Sequence, residues 1–371
     1  MTRIRRYIDC YIPTETCNLR CHYCYITQQR AFNNKLAHFS HSPEEIKKAF
    51  SKTRLGGICL INLCAGGETL LSEEVLPIVK ALVDEGHYVM IVTNGTLTKR
   101  FLEISEFDEK IRSHIFIKFS FHYLEMLRLD MLERFAENVN LMKKSKVSFT
   151  VEITPSDELI PYIDDVKKYC VENFGALCHV TIARDDMTNG IDILSKLSFD
   201  EYKNTWSQFD SDLFNFKSKI FYQKRKEFCY AGDWFLYLNM ETGSIRQCYC
   251  GEIIGNIFDL EKPIAFKAIG KCPLPHCYNG HSFLTLGVIP NFDCINYDKT
   301  RNRICSDGSE WLQSEMKEVM QTKLYETNKE YSPIKKYIVN KNNNKSNLTQ
   351  KQKIKRLKRK AKATVKRTFK S

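Results

Sequence analysis

An α/β architecture, with a parallel sheet covered by helices, is predicted for this chain of 371 residues by three observations. Hydrophobic bursts that end in Gly, Ser or Thr alternate with amphipathic segments, the rhythm of repeated βα units. The bursts are apolar almost throughout, as expected of strands buried on both faces. The segments between them carry helix start and stop signals.

The bursts give six strand candidates: Arg6 to Ile12, Gly57 to Leu63, Tyr88 to Thr93, Ile115 to Phe121, Val147 to Ile153 and Cys178 to Ala183. Between the first two, Ser42-Pro43-Glu44-Glu45 reads as a helix start, with Ser42 as cap, Pro43 in the first turn and Glu45 closing a capping box. Ile46, Ala49 and Phe50 then give the buried stripe, and Gly56-Gly57 the stop. A second helix is expected from Ser72 to Glu85, stopped by Gly86, and a third near Met126 to Lys144.

Composition narrows the class. The apolar share of 43% suits a globular chain with a sizeable core, and no apolar run approaches a membrane span. Arg3, Arg5, Arg6 and Asp9 near the start argue against a secretory signal, so a cytoplasmic location is expected. There, fifteen cysteines are poor disulfide material, and clustered ones read better as metal ligands. Cys10, Cys59, Cys64, Cys170 and Cys178 lie in apolar stretches and read as small buried residues.

Three cysteines are packed into Cys17-Asn18-Leu19-Arg20-Cys21-His22-Tyr23-Cys24, on the loop after the first strand. Three thiolates on one short loop can hold three irons of a [4Fe-4S] cubane and leave the fourth iron open to a chelating small molecule. The alternative, a zinc site, needs a fourth ligand from His22, His38 or His41. The Cys-x3-Cys-x2-Cys spacing with Tyr23 before the last cysteine resembles the signature of the radical S-adenosylmethionine (radical SAM) enzymes.

That resemblance covers residues 1–187 and implies a partial (β/α)6 barrel with ligand chemistry at the carboxyl ends of its strands. It also implies a catalytic [4Fe-4S] cluster on Cys17, Cys21 and Cys24, with S-adenosylmethionine on the open iron, cleaved reductively to a 5'-deoxyadenosyl radical that abstracts a substrate hydrogen. An electron donor such as flavodoxin or ferredoxin is then expected. Tyr23 would lie by the adenine. Ala65-Gly66-Gly67-Glu68-Thr69 matches the family's methionine-amino-binding turn, with Gly66 and Gly67 giving close backbone approach and Glu68 accepting from the ammonium. Thr93-Asn94-Gly95-Thr96 is also familiar from these enzymes, although a turn there needs no function. At further strand ends, Ser120 and Arg184 are expected to touch S-adenosylmethionine, and His122 and Glu152 the substrate; each could equally be a satisfied polar residue.

A helical connector is expected over 188–228, followed by a cysteine-rich region over 229–305 and a C-terminal helical segment over 306–340. Phe235 to Met240 and Ser244 to Gln247 flank Glu241-Thr242-Gly243 as a hairpin. Cys229-x13-Gly243-x4-Cys248, with Gly255-Asn256-Ile257 after it, resembles the opening of the SPASM and twitch auxiliary-cluster domains. The tight cysteine run of a full SPASM domain is absent, so the resemblance implies one auxiliary [4Fe-4S] cluster on Cys229, Cys248, Cys272 and Cys277. Cys250 or Cys294 is the substitute ligand, and a zinc ribbon the alternative.

The net charge of +12 is carried by the end of the chain: residues 341–371 hold thirteen Lys or Arg and no acid. Ile354, Leu357, Ala361 and Val365 would stripe a helix there. This basic tail is either solvated or a contact for an anionic membrane surface or a polyanion, which allows a peripheral place at the inner membrane face. The function expected is a radical SAM oxidoreductase acting on a small polar, carbohydrate-like substrate. The alternatives are a SPASM-type peptide or protein maturase and a non-catalytic zinc- and nucleic-acid-binding protein.

Overall fold

The computed structural model describes residues 3–188 and 191–343, and the basic stripe expected over 350–370 lies outside them. Six parallel strands run in sequence order: β1 (Arg6–Ile12), β2 (Cys59–Ala65), β3 (Tyr88–Thr93), β4 (Ile115–Phe121), β5 (Ser148–Ile153) and β6 (His179–Val180). Each pairs with the next, and their apolar side chains are nearly all buried, as continuous hydrophobic runs require. The parallel sheet expected of the sequence is therefore present. The strand expected over Gly57 to Leu63 begins at Cys59, because Gly56 and Gly57 are spent turning the chain at φ +75° and +147°.

The helices follow their punctuation. Helix α1 (Pro43–Ala49) has the full capping box between Ser42 and Glu45. Helix α2 (Val75–Asp84) buries Leu76, Val79, Leu82 and Val83 against the sheet. The third expected helix is two, Tyr123–Arg128 and α3 (Leu132–Lys144), broken at Asp130, whose φ of +54° no helix continues through.

The hairpin after Cys229 joins the same sheet. Strands β7 (Phe235–Asn239) and β8 (Ser244–Arg246) pair antiparallel as the sequence suggests, but β7 also lies parallel beside β1, with Asp9 opposite Tyr237. With β9 (Ile253–Asn256) the order is β9-β8-β7-β1-β2-β3-β4-β5-β6. The cysteine-rich region is thus built onto the open edge of the half-barrel rather than set apart from it. Among the described residues no helix is long and apolar enough to cross a membrane.

Burial holds three buried histidines and the half-buried His122 neutral. The His87 ring donates to the Phe50 carbonyl (2.7 Å) and accepts from the Cys59 N–H (3.1 Å), and burial lowers its pKa. Burial also takes His122 down to about 4 and His179 and His281 well below the usual value. The unfolded chain takes up protons below about pH 6.5 that the folded chain refuses, so stability should fall as pH drops from 6.5 toward 5. Each such histidine contributes up to about 1.4 kcal/mol per pH unit. Asp9 and Glu68, whose carboxyls burial raises, offset part of this at the acid end. Urea midpoints measured from pH 7 to 5 should decline; a flat profile would contradict the neutral assignment.

Candidate functional site

The three cysteines leave β1 on a loop that ends where Cys24 caps the short helix Tyr25–Gln29. The loop is held from two sides. The β2 end docks by backbone bonds, Gly66 N–H to the Ile12 carbonyl (3.1 Å), Gly67 to Thr14 (2.5 Å) and Glu68 to Thr16 (2.9 Å). The β3 end docks through Asn94, whose amide donates to Asn18 (2.8 Å) and lies 3.8 Å from the Cys17 sulfur, while Asn18 donates to the Thr96 hydroxyl (2.7 Å). The turn at Thr93-Asn94-Gly95-Thr96 is therefore part of the loop's support.

One cavity of about 90 Å³ collects the strand ends. Cys17, Cys21 and Cys24 line it with Gly66, Gly67 and Glu68, and Ser120 and His122 close it from β4. All three thiols are free. Burial raises each thiol, Cys17 to about 11, as a dry pocket does to any group that must ionise alone. Three uncrosslinked thiols lining one small, mostly apolar cavity fit a cubane bound by three irons. Among the described residues no three His, Cys, Asp or Glu side chains converge closely enough for a single ion. Of the histidines considered for zinc, His22 meets Glu158 (2.9 Å) and His41 stacks on Phe258.

The structure gives these residues contacts within the chain itself. Gly66 and Gly67 are required first by the chain itself, since a Cβ on Gly67 would stand 1.8 Å from the Thr16 carbonyl oxygen and one on Gly66 2.4 Å from that of Thr14. Glu68 accepts from the Leu70 N–H (2.9 Å), the Thr93 hydroxyl (2.7 Å) and the Asn94 N–H (2.7 Å), which ties the β2 and β3 ends together beneath the cavity. Tyr23 is hydrogen-bonded through its hydroxyl to His122 Nδ1 (2.7 Å), so this pair forms a wall beside the cysteines.

Arg184 does not join the cysteine cavity. It lines a larger neighbouring one of about 540 Å³ inside the half-barrel, and Val92 forms a wall common to both. Asp9, Asn62, Cys64 and Lys118 face this space from the strands, with Tyr249, Asn279, His281 and Arg301 from the later chain. Asp9 accepts from Asn62 (2.7 Å) and from the Tyr249 hydroxyl, which also accepts from Asn279 (2.5 Å). Glu152 is buried and ion-paired with Arg301 and with Lys118 (3.1 Å). Asp9, Lys118 and Arg301 were not singled out by sequence reasoning. A charge inside an apolar run, Asp9 within β1 and Lys118 within β4, was the available signal for the first two.

The later cysteines also converge. The strand Phe228–Cys229 pairs antiparallel with Gly270–Lys271, setting Gly270 opposite Cys229 and bringing Cys272 alongside. Cys248 follows β8, and Cys277 precedes the helix Gly280–Phe283. Cys229, Cys248, Cys272 and Cys277 line one small cavity of about 30 Å³. Cys250 sits against Cys248 and Cys272, whereas Cys294 bonds to the Leu284 carbonyl (3.3 Å) and lies 3.8 Å from the Lys323 ammonium. Of the cysteines read as buried, Cys10, Cys59, Cys170 and Cys178 are so, and Cys64 borders the large cavity. Tyr249 and Tyr278 line both the large cavity and this cysteine cavity.

Comparison with known proteins finds similarities over part of the chain. The 7-carboxy-7-deazaguanine synthase of Thermoplasma acidophilum is 33% identical over 90 residues, which are 24% of this chain and 39% of that protein. Among solved structures, Streptococcus suis SuiB bound to the precursor peptide SuiA is similar at 13% identity and a TM-score of 0.49, over 71% of this chain and 64% of that one. The enzyme anSMEcpe with bound AdoMet and a peptide is similar at 17% identity and a TM-score of 0.48, over 76% and 83%. The chain thus spans about two fifths of the curated relative and just under two thirds of SuiB. The family model of the radical SAM superfamily matches residues 11–159, the stretch that contains the cysteine loop and the ends of β2 to β5. These residues form a radical SAM domain, whose superfamily uses a [4Fe-4S] cluster and S-adenosylmethionine.

Proposed function

We propose that the chain is a radical SAM oxidoreductase that removes hydrogen from a small polar substrate held in the large cavity. The carrying observation is the adjacency of two cavities: one bounded by the three thiols, the other of about 540 Å³, polar, within the half-barrel and sharing the Val92 wall. That volume falls within the range of small-molecule sites, about 300–1,000 Å³. When bound, the cluster and S-adenosylmethionine supply a carbon radical able to abstract hydrogen.

The chain's own residues do the rest. Cys17, Cys21 and Cys24 would hold the catalytic cluster, and Glu68, Asn94 and the backbone at Gly66 and Gly67 set the loop that carries it. His122, neutral near pH 7, keeps its bond to Tyr23 and adds no positive charge beside a sulfonium. Asp9 and Tyr249 form a polar wall for substrate hydroxyl or amine groups. Cys229, Cys248, Cys272 and Cys277 would hold an auxiliary cluster behind Tyr249 and Tyr278. The convergence of those four thiols on one cavity supports this reading.

Anaerobic reconstitution should give roughly eight irons with matching sulfide per chain, as two cubanes require. Cys272→Ala should lose about half of the iron and keep S-adenosylmethionine cleavage. Incubation with S-adenosylmethionine, dithionite and deuterated metabolite extract should move label into 5'-deoxyadenosine. Zinc in place of iron, or no 5'-deoxyadenosine under any reductant, would refute the proposal; label arriving only from peptides would replace the small substrate with a maturase reading.

A further inference from the structure

The large cavity gathers basic side chains from separate parts of the fold. Lys118 stands on β4, Arg184 beyond β6, and Arg301 just after the short turn Tyr297–Thr300, and all three line the space. Lys217, from the helix Asp212–Ile220, is close enough that burial, Arg184 and Lys118 all disfavour its charge. The same three cations, Lys217, Lys118 and Arg184, add to burial in keeping His281 neutral. Burial with Arg301 and Arg184 nearby lowers Lys118 to about 8.

Three carboxylates lie near this group, Asp9 and Asp186 on the cavity wall and Glu152, but none is paired with the Arg184 guanidinium. Lys118 and Arg301 share one carboxylate, that of Glu152. Lys217 donates to the Thr181 hydroxyl (2.6 Å), a neutral partner. The Arg184 guanidinium makes no hydrogen bond or ion pair with a described residue, and Asp186 feels its charge without pairing to it. Asp9 is turned to Asn62 and Tyr249. Holding like charges together in a half-dry space costs free energy that an arriving anion would recover.

We propose that the cavity takes its ligand by an anionic group, a carboxylate or a phosphate, gripped by Arg184 with Lys118 beside it. A guanidinium matches either group with two parallel N–H bonds, and its planar fork loses little freedom on binding. The wall of Tyr249, Tyr278 and Asn279 is then left for the neutral, hydroxylated end of the same molecule. This deepens the proposed function and rests on its assignment of the large cavity to the substrate.

The test uses the full chain, reconstituted anaerobically and desalted, in thermal unfolding against inorganic phosphate and, separately, acetate, each compared with chloride at equal ionic strength. One of the two anions should raise the midpoint above chloride, and Arg184→Gln should weaken its half-saturation by at least about tenfold. Arg246→Gln, at an exposed residue of β8, should respond as the parent does. A phosphate-specific rise assigns a phosphoryl group, and an acetate-specific rise a carboxylate. If neither anion exceeds chloride, or if Arg184→Gln responds like the parent, the inference is wrong.

A second readout needs no variant: acylation of Lys118 by an amine-reactive acetate ester, followed by peptide mass spectrometry, should slow in the presence of the effective anion. Unchanged labelling would also overturn the inference. Cleavage of S-adenosylmethionine in the same preparation separates the two failures. Cleavage without an anion response removes the anion site alone, and an anion response without cleavage removes the proposed function instead.

Discussion

Cys21→Ala should lower reductive cleavage of S-adenosylmethionine by at least about 1,000-fold, equivalent to some 4 kcal/mol of barrier, while leaving the chain folded. The thiol is buried at 6% exposure and faces the cavity it shares with Cys17 and Cys24. Two remaining thiols cannot fix three irons, so about four irons per chain should be lost. The structural cost is that of deleting one small buried group, about 1–3 kcal/mol. Cys59→Ala supplies the comparison. That residue is also buried, on β2, where burial raises its thiol to about 12, and it borders neither cysteine cavity. It should show a similar stability loss with full iron and full cleavage. If Cys21→Ala keeps both its iron and its cleavage, the three-thiol site is not the cluster site.

How far the sequence reveals this arrangement depends on whether a feature is local. Strands β1, β3 and β4 were legible to the residue because each is an apolar run bounded by turn formers. Strand β6 shrinks to His179–Val180 because it is the sheet's edge and pairs along only two residues of β5. The cysteine loop was legible because its three cysteines fall within a stretch of eight residues. The pairing of β7 with β1 was not, since a parallel ladder between strands over two hundred residues apart leaves no periodic trace in either. For the same reason Arg301 escaped notice: its meaning comes from Glu152, to which only the tertiary fold delivers it. Arg184 was placed at the correct edge of the barrel, but which cavity it enters depends on the later chain. Glu68 was legible as an acceptor, and the structure adds that its donors on the protein are Leu70, Thr93 and Asn94.

The seam between the β2 end and the cysteine loop makes Gly67→Ala the most damaging small substitution in the domain. Three successive N–H groups, from Gly66, Gly67 and Glu68, bond to carbonyls of Ile12, Thr14 and Thr16, so the two backbones lie against each other with no room between. An added Cβ at residue 67 would meet the Thr16 carbonyl oxygen at 1.8 Å and its carbon at 2.5 Å. Neither contact is the far end of a flexible side chain, and only separation of the two segments relieves it. The expected cost is about 3 kcal/mol or more, the range of overpacked cores. At about 2–4 °C per kcal/mol for a unit of this size, the midpoint should fall by roughly 6–12 °C. Thr16 immediately precedes Cys17, so the displacement passes directly into the first thiol and iron should be lost along with stability. Gly255→Ala, on β9, is the control: its Cβ would find its nearest neighbour at 3.7 Å, an ordinary contact, and the midpoint and iron content should match the parent. Equal melting and equal iron in the two variants would mean that the seam does not set the cysteine loop.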